Sequence, residues 1–173
     1  MFPALSILLL AQAAPSMAPM EIQRGIFVLP GSPDAAALAR ASSLGITYVI
    51  NLRNPAEGDF RAEVFSVQGG GGNYLSCPMD REPTFAALDS FRAKMSALPT
   101  TAKVLVHCAT GNRAGGALFA FWVMDGTMPE AEALALAKKA GLRNAATEAA
   151  VRSYIAARQS RLGHFRFSRE DSE

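Results

Sequence analysis

The sequence has few of the residues on which several classes of protein depend. Only two cysteines, two histidines and one tryptophan occur among 173 residues. Two cysteines are too few for a framework of disulfide bonds. Cys77 lies in the apolar segment NYLSCP, which is typical of a small buried core residue. A disulfide between Cys77 and Cys108 in an oxidising compartment stays open as an alternative.

Charge of one sign is also scarce. The formal net charge is +2, with 17 basic and 15 acidic residues. This imbalance is too small to indicate a nucleic acid or an anionic membrane surface as a partner. Half of the residues are apolar, so the chain can bury a substantial core within one compact domain. We assign that domain to residues 21–160 and a polar tail to residues 161–173.

The one extended apolar segment, FPALSILLLAQAA, lies at the N-terminus and is too short to indicate a membrane span. Ala11 and Ala13 place small residues where a signal peptidase recognises them, although no Lys or Arg precedes the apolar run. We therefore expect residues 1–20 to be a signal peptide and flexible start of a periplasmic or secreted protein. An uncleaved anchor, a misassigned start codon and a cytoplasmic location stay open.

Apolar periodicity and turn residues predict strands and helices that alternate along the chain. Strands are predicted at 46–52, 73–79 and 104–106, and helices at 31–45, 84–98, 114–124, 129–141 and 146–159, with a helical turn at 59–65. Ser32 is the predicted N-cap of the first helix, and Thr127 forms a predicted capping box with Glu130. Such alternation indicates an α/β fold of three layers, in which helices flank a mostly parallel sheet of about four to five strands.

The stretch VLVHCATGNRAGG, residues 104–116, joins an apolar strand to a helix through a loop of small residues. The first N–H groups of a helix lack intrahelical partners, and the helix dipole adds positive charge there. Gly111 lets the loop turn so that several N–H groups can surround one phosphate or sulfate. A thiol at Cys108 ionises readily in such surroundings, and Arg113 adds a fork for two oxygens. The loop therefore predicts a nucleophile inside an oxyanion site.

Other polar residues follow the remaining strands. In an open parallel sheet, ligands bind beyond the carboxyl ends of the strands. The loops that carry Arg53, Glu57, Asp80 and Glu82 should therefore face the same crevice as Cys108. On their own, Arg53 and Glu57 are most simply a surface ion pair or loop anchors.

The HC…G…R element of the loop resembles the signature of the cysteine-dependent protein phosphatases. Residues 27–142 as a whole resemble the bacterial dual-specificity-phosphatase-like domain once named beta-lactamase-hydrolase-like. The segments that carry this resemblance are LPGSPDAAALARASSLGITYVINLR, CPMD and VLVHCATGNRAGG. The resemblance implies a cysteine-phosphatase-like fold and hydrolysis of a phosphorylated substrate, a phosphoprotein among the candidates, with no metal and no cofactor.

The resemblance also implies a role for each site residue. Cys108 attacks phosphorus and carries the phosphoryl group as an intermediate. Asp80 protonates the leaving oxygen and then activates water, with Glu82 as the alternative acid. His107 orients the loop from the opposite face of the strand. The phosphate oxygens are held by the backbone N–H groups of the loop and by one guanidinium, from Ala109, Thr110, Gly111, Asn112 and Arg113.

Two departures from the family pattern keep other functions open. Four residues separate Cys108 from Arg113, where the common cysteine phosphatases have five, and this spacing also fits the rhodanese pattern C-x-x-G-x-R. The chain lacks the GHIPGA-like segment and the terminal GG strand motif of rhodaneses. Ala114 stands where many relatives have a Ser or Thr that eases departure of the thiolate, a part that Thr110 could take. A rhodanese-like sulfurtransferase and a non-catalytic phosphate-binding module are therefore the alternatives.

Overall fold

A computed structural model describes residues 17–126 and 128–170, with side chains to residue 160. Its five strands form one sheet in the order β1-β2-β5-β3-β4. The strands are β1 Met20–Gln23, β2 Ile26–Val28, β3 Tyr48–Asn51, β4 Asn73–Ser76 and β5 Val104–His107. β1 and β2 form an antiparallel hairpin, and all other strand pairs are parallel. The predicted α/β fold with a mostly parallel sheet is confirmed.

The helices of the described residues are α1 Ala35–Ser43, α2 Arg61–Gly69, α3 Phe85–Ser96, α4 Asn112–Met124, α5 Glu130–Lys139 and α6 Ala145–Glu170, with a short 3-10 helix at Pro55–Glu57. All five predicted helices are present with shifted ends, and the predicted turn at 59–65 grows into α2. None of the described helices is both long and apolar enough to cross a membrane.

Three details differ from the sequence prediction at the ends of helices. The N-cap of α1 is Asp34 rather than Ser32, because the carboxylate accepts from the Ala37 N–H at 2.7 Å. α5 begins at Glu130 itself, so this residue is not the third helical residue that a capping box requires; Thr127 lies outside the described residues. α6 continues to Glu170, through most of the segment assigned to a polar tail.

The sheet separates two hydrophobic clusters, which gives three layers. Alternation along β5 sends Leu105 to the cluster with α1 and α2, and sends Val104 and Val106 to the larger cluster with α3, α4, α5 and α6. Cys108 belongs to the larger cluster. His107 contacts α2 on the other face. The loop after β5 is therefore held between both helical layers at the carboxyl edge of the sheet.

Candidate active site

The loop between β5 and α4 is built around Gly111. This residue is the N-cap of α4 and has a φ of 81°, a left-handed conformation that favours glycine. A Cβ at this position would also lie 3.2 Å from the Ala140 carbonyl oxygen. Among the described residues, the backbone N–H groups of Ala109–Arg113 have no hydrogen-bond acceptor. These donors remain available to an anion at the start of a helix.

Cys108 directly follows β5 and has no exposed surface. Both cysteines are free thiols in the structure. Cys77 is buried as predicted, and burial raises the pKa of its thiol. The pKa of Arg113 is raised mainly by its hydrogen bond to Glu57, and Cys108 makes a smaller contribution in the same direction. The Arg113 side chain is directed inward and only 12% exposed.

Glu57 binds the guanidinium of Arg113 with both carboxylate oxygens. The Oε1 atom accepts from Nη1 at 2.5 Å, and the Oε2 atom accepts from Nη2 at 2.6 Å. Nη1 also donates to the carbonyl oxygens of Met79 at 2.9 Å and Leu52 at 3.3 Å. The hydrogen bond from Arg113 is the main reason why the pKa of Glu57 falls to about 2. Glu57 therefore fixes the orientation of the arginine.

The interpretation of Arg53 and Glu57 as a pair with each other is wrong. Arg53 is buried and binds Glu63 of α2. Its guanidinium carbon also lies 4.1 Å from the centre of the Phe60 ring. The other carboxylate oxygen of Glu63 lies 2.8 Å from His107 Nε2. Burial acts to raise the pKa of Glu63, but His107 and Arg53 outweigh it and hold the pKa below its usual value. His107 is thus fixed from the face opposite Cys108, as predicted.

Asp80 lies next to the site and is exposed. Its Oδ1 accepts from Asn54 Nδ2 at 2.6 Å. The preceding residue, Met79, is the one whose carbonyl binds Arg113. Glu82 is also exposed, and its side chain forms no hydrogen bond or ion pair within the described part of the chain. Of the two candidate acids, only Asp80 is therefore hydrogen-bonded to a described residue that lines the cleft.

A cleft of about 720 Å³ opens above the loop. Its walls come from the loop, the 3-10 helix, the segment after β4 and the turn before α6. The lining residues are Asn54, Glu57, Arg81, Ala109, Thr110, Asn112, Arg113, Gly141, Arg143 and Asn144. Cys108 is not among the residues that line the cleft and has no exposed surface, and Ala114 in the first turn of α4 is buried as well. Three arginines against one glutamate suit a cleft for anions.

The described residues contain no group of three or more His, Cys, Asp or Glu side chains that could hold a metal ion. The sequence analysis placed the Glu57 loop at the crevice but did not predict its contact with Arg113, because the two residues lie 56 positions apart. Thr147 was missed as well, although its hydroxyl accepts from Asn112 Nδ2 at 2.5 Å. The segment NPAE could have pointed to Glu57, because it places a carboxylate in the loop that follows a buried strand.

The sequence matches no family model and no curated protein. Several solved structures are similar to it. A candidate phosphatase (DUF442) from Shewanella putrefaciens CN-32 superposes with a TM-score of 0.67 at 21% identity, covering 83% of this chain and 94% of its own. TpbA from P. aeruginosa gives 0.64 at 18%, with coverage of 84% and 87%. A human DUSP28 variant gives 0.64 at 20%, with coverage of 83% and 98%.

At these identities the likeness is one of fold. The resemblance seen in the sequence is confirmed at that level, because the similar structures include Tk-PTP and PTPMT1 as well. The chain therefore has the fold of the cysteine-dependent tyrosine and dual-specificity phosphatases.

Proposed function

We propose that the protein hydrolyses phosphomonoesters, with Cys108 as the nucleophile. The observation that carries this proposal is the fixed position of Arg113. Glu57 and two carbonyl groups hold its guanidinium in the wall of the cleft, next to the loop that follows Cys108 at the start of α4. The fold comparisons support a phosphatase over a sulfurtransferase.

Arg113 keeps donors for a phosphate group. An arginine carries five N–H groups in one plane. Glu57 and Met79 engage both N–H groups of Nη1 and one of Nη2. The N–H of Nε and the second N–H of Nη2 donate to no oxygen among the described residues. These two neighbouring donors form a fork that matches two phosphate oxygens.

The proposed reaction has two steps. In the first, Cys108 Sγ bonds to phosphorus, the P–O bond to the leaving group breaks, and Asp80 gives its proton to the leaving oxygen. In the second, water attacks phosphorus, its proton passes to Asp80, and the S–P bond breaks to release phosphate and the thiolate. Arg113 and the loop N–H groups stabilise the charge on the phosphoryl oxygens in both steps.

Turnover of para-nitrophenyl phosphate tests the proposal against the two alternatives. We expect the wild-type protein and Cys77→Ser to hydrolyse it, and Cys108→Ser to lose turnover while phosphate still raises its melting temperature. Transfer of sulfur from thiosulfate to cyanide without phosphate release would indicate a sulfurtransferase instead. Stabilisation by phosphate without either activity would indicate a phosphate-binding module.

Alkylation tests whether the buried sulfur can be reached from the cleft. We expect iodoacetamide to modify Cys108 faster than Cys77, because burial raises the pKa of the Cys77 thiol, whereas Cys108 adjoins the loop whose N–H groups have no acceptor within the described part of the chain. Phosphate in the cleft should slow the modification of Cys108 alone. Equal rates at both cysteines, unaffected by phosphate, would contradict a nucleophile at Cys108.

A further inference from the structure

Two arginines of the cleft have no part in the proposed reaction. Arg81 and Arg143 line the cleft together with Arg113, and both are exposed. Neither side chain forms an ion pair or hydrogen bond with any described residue. Of the two acidic neighbours of Arg81 in the sequence, Asp80 accepts from Asn54, and the exposed Glu82 forms no ion pair with Arg81. Arg113 is occupied by Glu57, so these two guanidinium groups supply the free positive charge of the cleft.

The backbone segments that carry both arginines are attached to the loop. Asn112 Oδ1 accepts from the backbone N–H of Arg143 at 3.0 Å and of Asn144 at 2.9 Å. Asn112 Nδ2 donates to the hydroxyl of Thr147, and that hydroxyl donates to the Arg81 carbonyl oxygen at 2.7 Å. Thr147 is fully buried. One pair of side chains therefore fixes the positions of Arg81 and Arg143 relative to the start of α4.

We infer that Arg81 and Arg143 form a second anion subsite in the cleft. The inference rests on the proposed phosphatase function and specifies its substrate: a small phosphomonoester that carries a second phosphate or carboxylate. The cleft of about 720 Å³ has the size of sites for whole small molecules and is larger than one phosphate requires. Arg113 binds the phosphate that reacts, and the two outer arginines bind the second anion.

A matched pair of substrates tests the subsite. We expect kcat/KM for fructose 1,6-bisphosphate to exceed that for fructose 6-phosphate about tenfold, because a hydrogen-bonded charge pair contributes roughly that factor. The double variant Arg81→Gln/Arg143→Gln should reduce this ratio to about two, the factor expected from two equivalent phosphates. Each single variant should give an intermediate ratio.

A charge-matched control separates the subsite from long-range attraction of anions. Arg24 lies in the hairpin turn before β2, and Arg40 lies in the last turn of α1, so both are at the amino edge of the parallel strands, away from the cleft. Arg24→Gln/Arg40→Gln removes the same charge and should keep the substrate ratio of the wild type. An equal fall of the ratio in this control would overturn the subsite.

Binding to the Cys108→Ser protein makes failure of the subsite distinct from failure of the phosphatase proposal. With the subsite present, fructose 1,6-bisphosphate raises the melting temperature more than fructose 6-phosphate does, and the arginine double variant loses that difference. If this difference in melting temperature is seen but the wild-type protein turns over neither sugar, the phosphatase proposal is overturned and the subsite is retained. Turnover with equal preference for both sugars would overturn the subsite alone. Turnover of a phosphopeptide far above both sugars would overturn the small-molecule substrate.

Discussion

Arg113 and Glu57 make the contact that orients the candidate site, and Glu57→Gln tests it. A glutamine keeps one acceptor but loses the charge and the two-oxygen grip on the guanidinium. We expect kcat/KM for para-nitrophenyl phosphate to fall about tenfold in steady-state assays, the size of one charge-assisted hydrogen bond. Glu132→Gln on the exposed side of α5 is the control and should retain wild-type activity. Unchanged activity in Glu57→Gln would show that Arg113 needs no carboxylate partner.

The same variant has an expected dependence on pH. The Arg113 hydrogen bond lowers the pKa of Glu57 from 4.5 to about 2. The stability that comes from this shift is complete above pH 4.5 and is lost as the pH falls toward 2, because protonation then favours the unfolded chain. Urea unfolding of wild type and Glu57→Gln should therefore differ most near neutral pH and converge in acid. A constant difference would contradict the assignment.

At this scale the sequence predicts the residues of a local motif and misses their distant partners. Cys108, Gly111 and Arg113 stand within six positions, so strand, loop and helix signals define them together. Glu57 reaches Arg113 only because β3 and β5 are neighbours in the sheet. That adjacency depends on the strand order, which periodicity along one sequence does not contain.

Among the elements, α2 is joined to the sheet by a buried charge network. Glu63 lies between Arg53 and His107, so Glu63→Gln leaves two basic groups in the interior without an anion. We expect urea unfolding to show a loss of about 3 kcal/mol, the range for breaking a buried ion pair. The double variant Glu63→Gln/Arg53→Gln should lose less unfolding free energy than the sum of the losses of the two single variants. Strictly additive losses would contradict direct coupling.

The contact between α4 and α5 depends on Gly115. A Cβ there would lie 2.6 Å from the Ala137 carbonyl oxygen and 2.7 Å from the Leu142 nitrogen, both backbone atoms. Gly115→Ala must therefore separate the two helices, and we expect a loss of about 2 kcal/mol in urea unfolding. Gly69→Ala in α2 is the matched control, since nothing lies within 4 Å and alanine favours the helix. Equal stability of both variants would contradict the close packing.

Element prediction from the sequence fails where elements are short or flanked by glycine. β1 and β2 have four and three residues and were not predicted. Runs this short contain too few residues to show the alternation of apolar and polar side chains that indicates a strand. α2 runs four residues beyond the predicted turn at 59–65 and ends at Gly69, the first glycine of the run at 69–72. Packing of Val67 against α1 and the contacts of Glu63 stabilise the full length of this helix, and both depend on residues that are distant in the sequence.

For the whole molecule, β5 contributes to both hydrophobic clusters, so the layers should unfold together. Trp122 is the only tryptophan and is buried in the larger cluster, whereas far-UV circular dichroism records all helices. We expect both signals to give one midpoint in urea. Loss of the dichroism of α1 and α2 before the fluorescence change would show that the two layers are separate units.

The strand at the centre of the sheet is the last to be synthesised. β2 pairs only with β1 and β5, and β3 pairs only with β4 and β5. A growing chain on the ribosome therefore carries two separate strand pairs with open edges until residue 107 has emerged, and open edges favour aggregation. The risk of aggregation through these edges therefore ends only when β5 has emerged and paired with both β2 and β3.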